Sequence, residues 1–113
     1  MSDHIRMTRA DGTWVVRAGG AVLAETDQAV DLREGSRAPV IYFPRSAIAM
    51  AFLEQSATQT TCPHKGRASY YTIVTKSTRI EDAGWSYETP KDGMERIAGH
   101  IAFYPDRVTI EQL

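Results

Sequence analysis

Turn signals cut this chain into runs too short to be long helices. Asp11-Gly12, Gly19-Gly20, Glu34-Gly35-Ser36-Arg37, the prolines Pro39 and Pro44, and Pro105-Asp106 all fall between β-prone stretches. Short apolar runs rich in β-branched and aromatic residues, punctuated in this way, are the signature of an all-β fold. The strongest hairpin signal is Gly19-Gly20, flanked by Thr13 to Arg17 and Val22 to Glu25. Adjacent glycines allow the positive φ that a two-residue turn demands. With that loop, Val16 is expected to face Leu23 across the ladder.

Further strands are expected over residues 4–9, Ala29 to Arg33, Val40 to Phe43, Thr58 to Cys62, Ala68 to Val74, Thr78 to Tyr87, Ile101 to Phe103 and Val108 to Glu111. Arg45 to Ile48 reads as one helical turn. From Ile48 the apolar side chains alternate through Met50 and Phe52, which predicts a strand there. Lys91 to Ala98 predicts one short helix, with Met94 and Ile97 turned inward at a spacing of three. Alternating faces of this kind are buried by a compact antiparallel fold of two stacked or partly closed sheets, mainly β, with one or two short helical turns.

A chain of 113 residues is expected to be one domain, spanning 1–113. Its 13 basic and 14 acidic side chains nearly cancel. That balance argues against non-specific nucleic-acid binding, which needs a basic stripe. A single cysteine forms no internal disulfide and no Cys-x-x-Cys zinc knuckle. The first residues, Met-Ser-Asp-His-Ile-Arg, hold no apolar stretch of signal-peptide type. No run approaches the length of a membrane helix. The expected setting is the cytoplasm, with no membrane partner. The sequence names no cofactor and sets no oligomeric state.

Chemistry concentrates at residues 58–71, which hold Cys62, His64, Lys65, Gly66, Arg67, Tyr70 and Tyr71. Pro63 and Gly66 place the polar cluster on a loop between strands. Lys65 and Arg67 flank a glycine whose missing side chain gives a ligand access to the backbone, the makings of an anion site. Tyr70 is placed to stack on a ring. The competing reading is a solvated cationic turn. Cys62 and His64, two apart, share a face if strand geometry persists through Pro63. They are then the minimum of a nucleophile–base pair, against the plainer reading of a buried, inert thiol. A metal at Cys62 and His64 would need further ligands from His4, His100 or distant carboxylates, and none is expected. Trp85 and Tyr87 share a strand face, over the core or lining a pocket. Arg45, near Tyr42 and Phe43, either reaches the site or caps a turn. Glu81 and Asp82 point to opposite faces, no Asp-x-Asp occurs, and neither a P-loop nor a Gly-x-Ser-x-Gly is present.

Four segments carry a resemblance. They are Tyr42-Phe43-Pro44, Thr61-Cys62-Pro63-His64-Lys65-Gly66 with Ala68-Ser69-Tyr70, Trp85-Ser86-Tyr87, and Ile97-Ala98-Gly99-His100-Ile101-Ala102-Phe103-Tyr104. In this order, over nearly the whole chain, they resemble the domain-of-unknown-function 427 family. That family is small, mostly bacterial, and provisionally labelled a nucleotidyltransferase domain. The resemblance implies a tent-like antiparallel β fold akin to methionine sulfoxide reductase B and related zinc modules. Their Cys-x-x-Cys zinc pairs have no counterpart here. It also implies a site at Cys62, Lys65, Gly66, Tyr70, Trp85 and Tyr87.

The expected function is binding of a small anionic molecule, a nucleotide or phosphorylated metabolite, at a cationic, aromatic-lined pocket. The alternatives are an enzyme of the nucleotidyltransferase kind and a protein-interaction or structural domain. Convergence of Lys65, Arg67 and Tyr70 on a cavity, with or without paired carboxylates, separates the three.

Overall fold

The alternation in the sequence becomes ten strands in the computed structural model, which describes residues 4–113. In chain order these are β1 (Ile5–Arg9), β2 (Trp14–Ala18), β3 (Ala21–Thr26), β4 (Val30–Glu34), β5 (Val40–Phe43), β6 (Leu53–Cys62), β7 (Gly66–Val74), β8 (Arg79–Ser86), β9 (Ile101–Phe103) and β10 (Thr109–Gln112). Seven of them form one antiparallel sheet in the order β1-β4-β5-β9-β8-β7-β6. The other three form a second antiparallel sheet, β10-β2-β3. Among the described residues no helix is long and apolar enough to cross a membrane.

Gly19 and Gly20 adopt φ of 55° and 77°, the pair of positive values that suits a primed two-residue turn. Ala18 pairs with Ala21 and Arg17 with Val22, but the register then shifts by one residue. Val16 therefore faces Ala24, not Leu23 as the turn alone predicted. A bulge in the longer strand absorbs the extra residue and adds local twist. The two glycines differ in their surroundings. A Cβ on Gly19 would lie 2.4 Å from Thr78 Cγ2, whereas one on Gly20 meets nothing within 4 Å. Gly20→Ala is expected to cost about 1–2 kcal/mol, from left-handed backbone alone. Gly19→Ala is expected to cost more, and urea denaturation midpoints check the order.

Two local expectations change. The alternation at Ile48, Met50 and Phe52 does not make a strand. Ile48 forms a lone bridge to Ala24, the Ala49 amide donates to Leu23 O at 2.7 Å, and Met50–Phe52 makes a 3₁₀ turn. The chain touches the small sheet there and must turn back at once to start β6 in the large one. Lys91 to Ala98 makes only a single 3₁₀ turn, Glu95–Ile97. Pro90 and Gly93 (φ 89°) leave too few residues to propagate an α-helix. Met94 and Ile97 are nevertheless both buried, as their spacing predicted. With Arg45–Ala47, three such turns are complete among the described residues.

The large sheet separates two cores. Phe43, Ile73, Ile101 and Phe103 face Val16, Leu23 and Ala24 of the small sheet. On the opposite face, Val30, Leu32, Tyr42 and Ala102 are covered by Met94 and Ile97. The segment between β8 and β9 thus forms a third layer, and it bounds the site described below.

Neighbouring irregularities interrupt β6, β7 and β8. Register jumps between Gln55 and Gln59 on β6, and between Tyr71 and Ile73 on β7. Asp82, at φ 48°, is the one non-glycine residue with positive φ among the described residues. Asp is among the few side chains that tolerate this conformation. Its carboxylate accepts hydrogen bonds from Ser56 Oγ (2.6 Å) and Thr58 Oγ1 (2.7 Å), and its amide donates to Thr72 Oγ1 (3.2 Å). Those hydroxyl donors hold the Asp82 carboxyl below its usual range.

Candidate functional site

Register builds the floor of the site. Tyr42, Ala102, Trp85 and Tyr70 stand directly opposite one another across β5, β9, β8 and β7. The small Ala102 leaves space between two large rings. Trp85 Nε1 bridges it by donating to Tyr42 Oη at 3.3 Å. Its indole lies 4.6 Å from the Tyr104 ring, measured between centroids. Tyr70 Oη meets Thr60 Oγ1 at 3.0 Å and lies 3.5 Å from Tyr104 Oη. Tyr87, two residues beyond Trp85, lies on the same side.

These rings wall a cavity of about 250 Å³ that also contains Lys65, Glu34 and Arg37. Lys65 comes from the turn Pro63-His64-Lys65 between β6 and β7, and Glu34 from the last position of β4. Lys65 Nζ donates to Glu34 Oε1 at 2.9 Å, with only 10% and 12% of the two side chains exposed. The same carboxylate oxygen lies 3.9 Å from Arg37 Nη1, and the other oxygen lies 3.6 Å from His4 Nε2. The hydrogen bond from Lys65 outweighs burial and holds the Glu34 carboxyl below the ordinary range. Burial pushes the Tyr42 and Tyr104 hydroxyls up to about 12, and Tyr87 higher still. All three phenols are neutral at pH 7, and that of Tyr104 donates to Tyr70 Oη.

The fold thus brings four expected residues, Lys65, Tyr70, Trp85 and Tyr87, onto one cavity. Lys65 departs from the competing reading of a solvated cationic turn, because it is buried and paired. Cys62 and His64 line a neighbouring cavity of about 470 Å³, which shares Glu34 and Arg37 with the first. They are not placed as a nucleophile and its base. Strand β6 ends at Cys62, so the alternation assumed through Pro63 is broken. His64 turns edge-on to His4, with ring centroids 5.4 Å apart, and it is Lys65 Nζ that donates to Cys62 Sγ at 3.6 Å.

Gly66 has φ 115°, and what approaches its bare backbone is the chain itself. A Cβ there would lie 3.5–3.6 Å from residues Thr89, Pro90 and Lys91. The amide of Lys91 donates to Lys65 O at 2.9 Å, pinning this turn to the third layer. Arg67 is exposed, and strand alternation puts it on the face opposite Tyr70. Arg45 belongs to a separate cluster. It donates to Gly99 O (3.0 Å) and to Glu88, and its guanidinium lies 5.5 Å from the centre of the Tyr71 ring.

Four polar or aromatic residues of the cavity carry no signal in the sequence reading: Glu34, Arg37, Tyr42 as a wall, and Tyr104. A larger hollow of about 560 Å³ also went unforeseen. It lies where the two sheets part and is lined by Trp14, Ile41, Phe103 and Ile110, with Asp31 and Arg33. Ala38, Val40 and Trp85 border both it and the aromatic cavity. Its Asp31 and Arg33 satisfy each other through two contacts of 3.2 Å. Size favours the larger hollow; a buried cation among rings favours the smaller.

Residues 6–112 match the model of the family described as domain of unknown function (DUF427), whose short label marks it as nucleotidyltransferase-like. No curated protein matches the chain.

Proposed function

We propose that this chain, which belongs to the domain-of-unknown-function family DUF427, binds a small ring-bearing anion in the cavity between Lys65 and Trp85. The observation that carries the reading is a buried ammonium group on the wall of a cavity that is otherwise largely aromatic. Glu34 neutralises one positive charge, yet Lys65 and Arg37 supply two. One cation is therefore left for a phosphate or carboxylate. Arg37, with 79% of its side chain exposed, stands at the mouth. Tyr70, Tyr104 and Trp85 offer faces for a planar ring. At about 250 Å³ the cavity is smaller than a typical drug-sized pocket. It suits one ring with its anionic group, or one end of a nucleotide.

The nucleotidyltransferase label would call for carboxylates converging on Mg²⁺. Glu34 is the one carboxylate lining this cavity, and it is engaged by Lys65. Recognition is therefore the preferred reading over phosphoryl chemistry.

A thermal-shift screen of nucleotides and phosphorylated metabolites, with and without Mg²⁺, tests this. Ligand at about a hundred times its Kd should add roughly 2.7 kcal/mol of stability. Arg37→Ala removes a charge-assisted contact without touching the interior. It should weaken a hit by about tenfold or more, since such contacts are worth roughly 1.5–3 kcal/mol. Lys65→Met should abolish binding. A panel without a hit, or a hit indifferent to both substitutions, would remove this cavity from the functional account.

A further inference from the structure

We propose that His4, Glu34 and His64 form a binding site for a divalent transition-metal ion of the zinc class. One donor atom from each of the three side chains lies within 4.8 Å of the other two. They come from three separate places in the fold: the residue before β1, the end of β4, and the β6–β7 turn. The backbone arranges the first two. Gly35 N donates to His4 O at 3.0 Å, and Ile5 pairs directly with Glu34. His64 then closes on His4 edge-to-face, at 5.4 Å between ring centroids.

The spacing fits an ion. Donors about 2.1 Å from a tetrahedral metal lie about 3.4 Å from one another. His4 Nε2 and Glu34 Oε2 are already 3.6 Å apart. Lys65 and Arg37 both contact Glu34 Oε1, so Oε2 is the oxygen turned towards the His4 imidazole. The His4 side chain is 40% exposed and free to rotate the remaining distance. Cys62 lines the same cavity, but its sulfur accepts from Lys65 Nζ and stands outside the three-donor cluster.

The donor set selects the metal. Two imidazoles and one carboxylate suit zinc, nickel or ferrous ions, whereas Mg²⁺ and Ca²⁺ prefer all-oxygen shells. The nearby Lys65 and Arg37 charges oppose any cation, and this further disfavours ions held by charge alone. The site also borders the aromatic cavity through Glu34, which lines both. A metal drawing on the Glu34 charge would leave the Lys65 ammonium less neutralised and more available to an anion. Spacing in the sequence hides this cluster, because its three members are far apart along the chain and meet only through strand order.

The test uses the full chain without a purification tag, stripped with a chelator. Zn²⁺, Ni²⁺ and Mg²⁺ are titrated in by calorimetry, and bound metal is counted by elemental analysis after gel filtration. One zinc per chain is expected, with nickel also bound and no uptake of magnesium. His4→Ala and His64→Ala should each weaken zinc at least about tenfold, since loss even of an outer-shell partner weakens metals by 10–100-fold. His100→Ala, at the remaining histidine, should change nothing. Absence of zinc uptake in the low-micromolar range, or zinc binding retained in either His4→Ala or His64→Ala, would overturn the assignment.

Discussion

Glu34→Ala is expected to lower the stability of the fold by about 3 kcal/mol. Its effect comes from what it strands. The Lys65 ammonium is nearly enclosed and has Glu34 as its carboxylate partner. Breaking a buried pair by removing one member costs roughly 3–5 kcal/mol, and the lower end applies because this pair borders an open cavity. Arg37 and His4 are exposed and lose little by comparison. Replacing both members, Glu34→Ala with Lys65→Met, should recover most of the loss, since no unpaired charge remains. The pair also sets an acid limit. Lys65 depresses the Glu34 pKa in the folded state, so the pair's contribution is fully present above the unfolded value of 4.5. It is lost as pH falls from there through the lower folded value. Urea midpoints measured against pH should therefore decline below this point, and less steeply in Glu34→Gln. A Glu34→Ala protein as stable as the parent would show that Lys65 needs no partner.

Phe43→Ala is expected to cost about 4 kcal/mol, within the range for deleting a buried phenylalanine. Phe43 is fully buried, meets the Phe103 ring at 6.1 Å between centroids, and sits in the core that joins the two sheets. For a chain of this size the melting temperature should fall by roughly 15 °C. Below that temperature, binding at the aromatic cavity should survive. Phe43 and Tyr42 are adjacent on β5 and point to opposite faces, so the cavity wall stays in place. Differential scanning calorimetry reads the first effect, and titration of any ligand at low temperature reads the second. Binding lost along with stability would mean that the two faces of the sheet are not independent.

What the sequence discloses depends on how local each feature is. The Gly19-Gly20 hairpin is written in two residues, and it forms where expected. Its register is not written there, because a bulge depends on the strand opposite. Met50 and Phe52 alternate like a strand, yet Ile48 must bridge to Ala24 across the sheets, and that long-range demand prevails. The aromatic cavity was partly visible because Trp85 and Tyr87 share a strand face and Lys65 lies in the preceding turn. Grouping Lys65 with Arg67 followed closeness in sequence, but three positions on a strand separate Arg67 from the Tyr70 face. Glu34 stayed hidden, because it meets Lys65 only once β1, β4 and β5 have taken their order in the sheet.

The interruption in β6 has a consequence for the molecule among its own copies. β6 is the outer strand of the large sheet, and much of its length is exposed. A straight, unpaired strand of this length would invite a second chain to continue the ladder. Asp82 clasps Ser56 and Thr58 at the point where the register jumps, which keeps that border bent and its amides out of line. The clasp is ionic on one side, so acid that protonates Asp82 would slacken it. The first sign of such slackening would be a change in how the protein keeps company with itself at low pH, ahead of any loss of its interior.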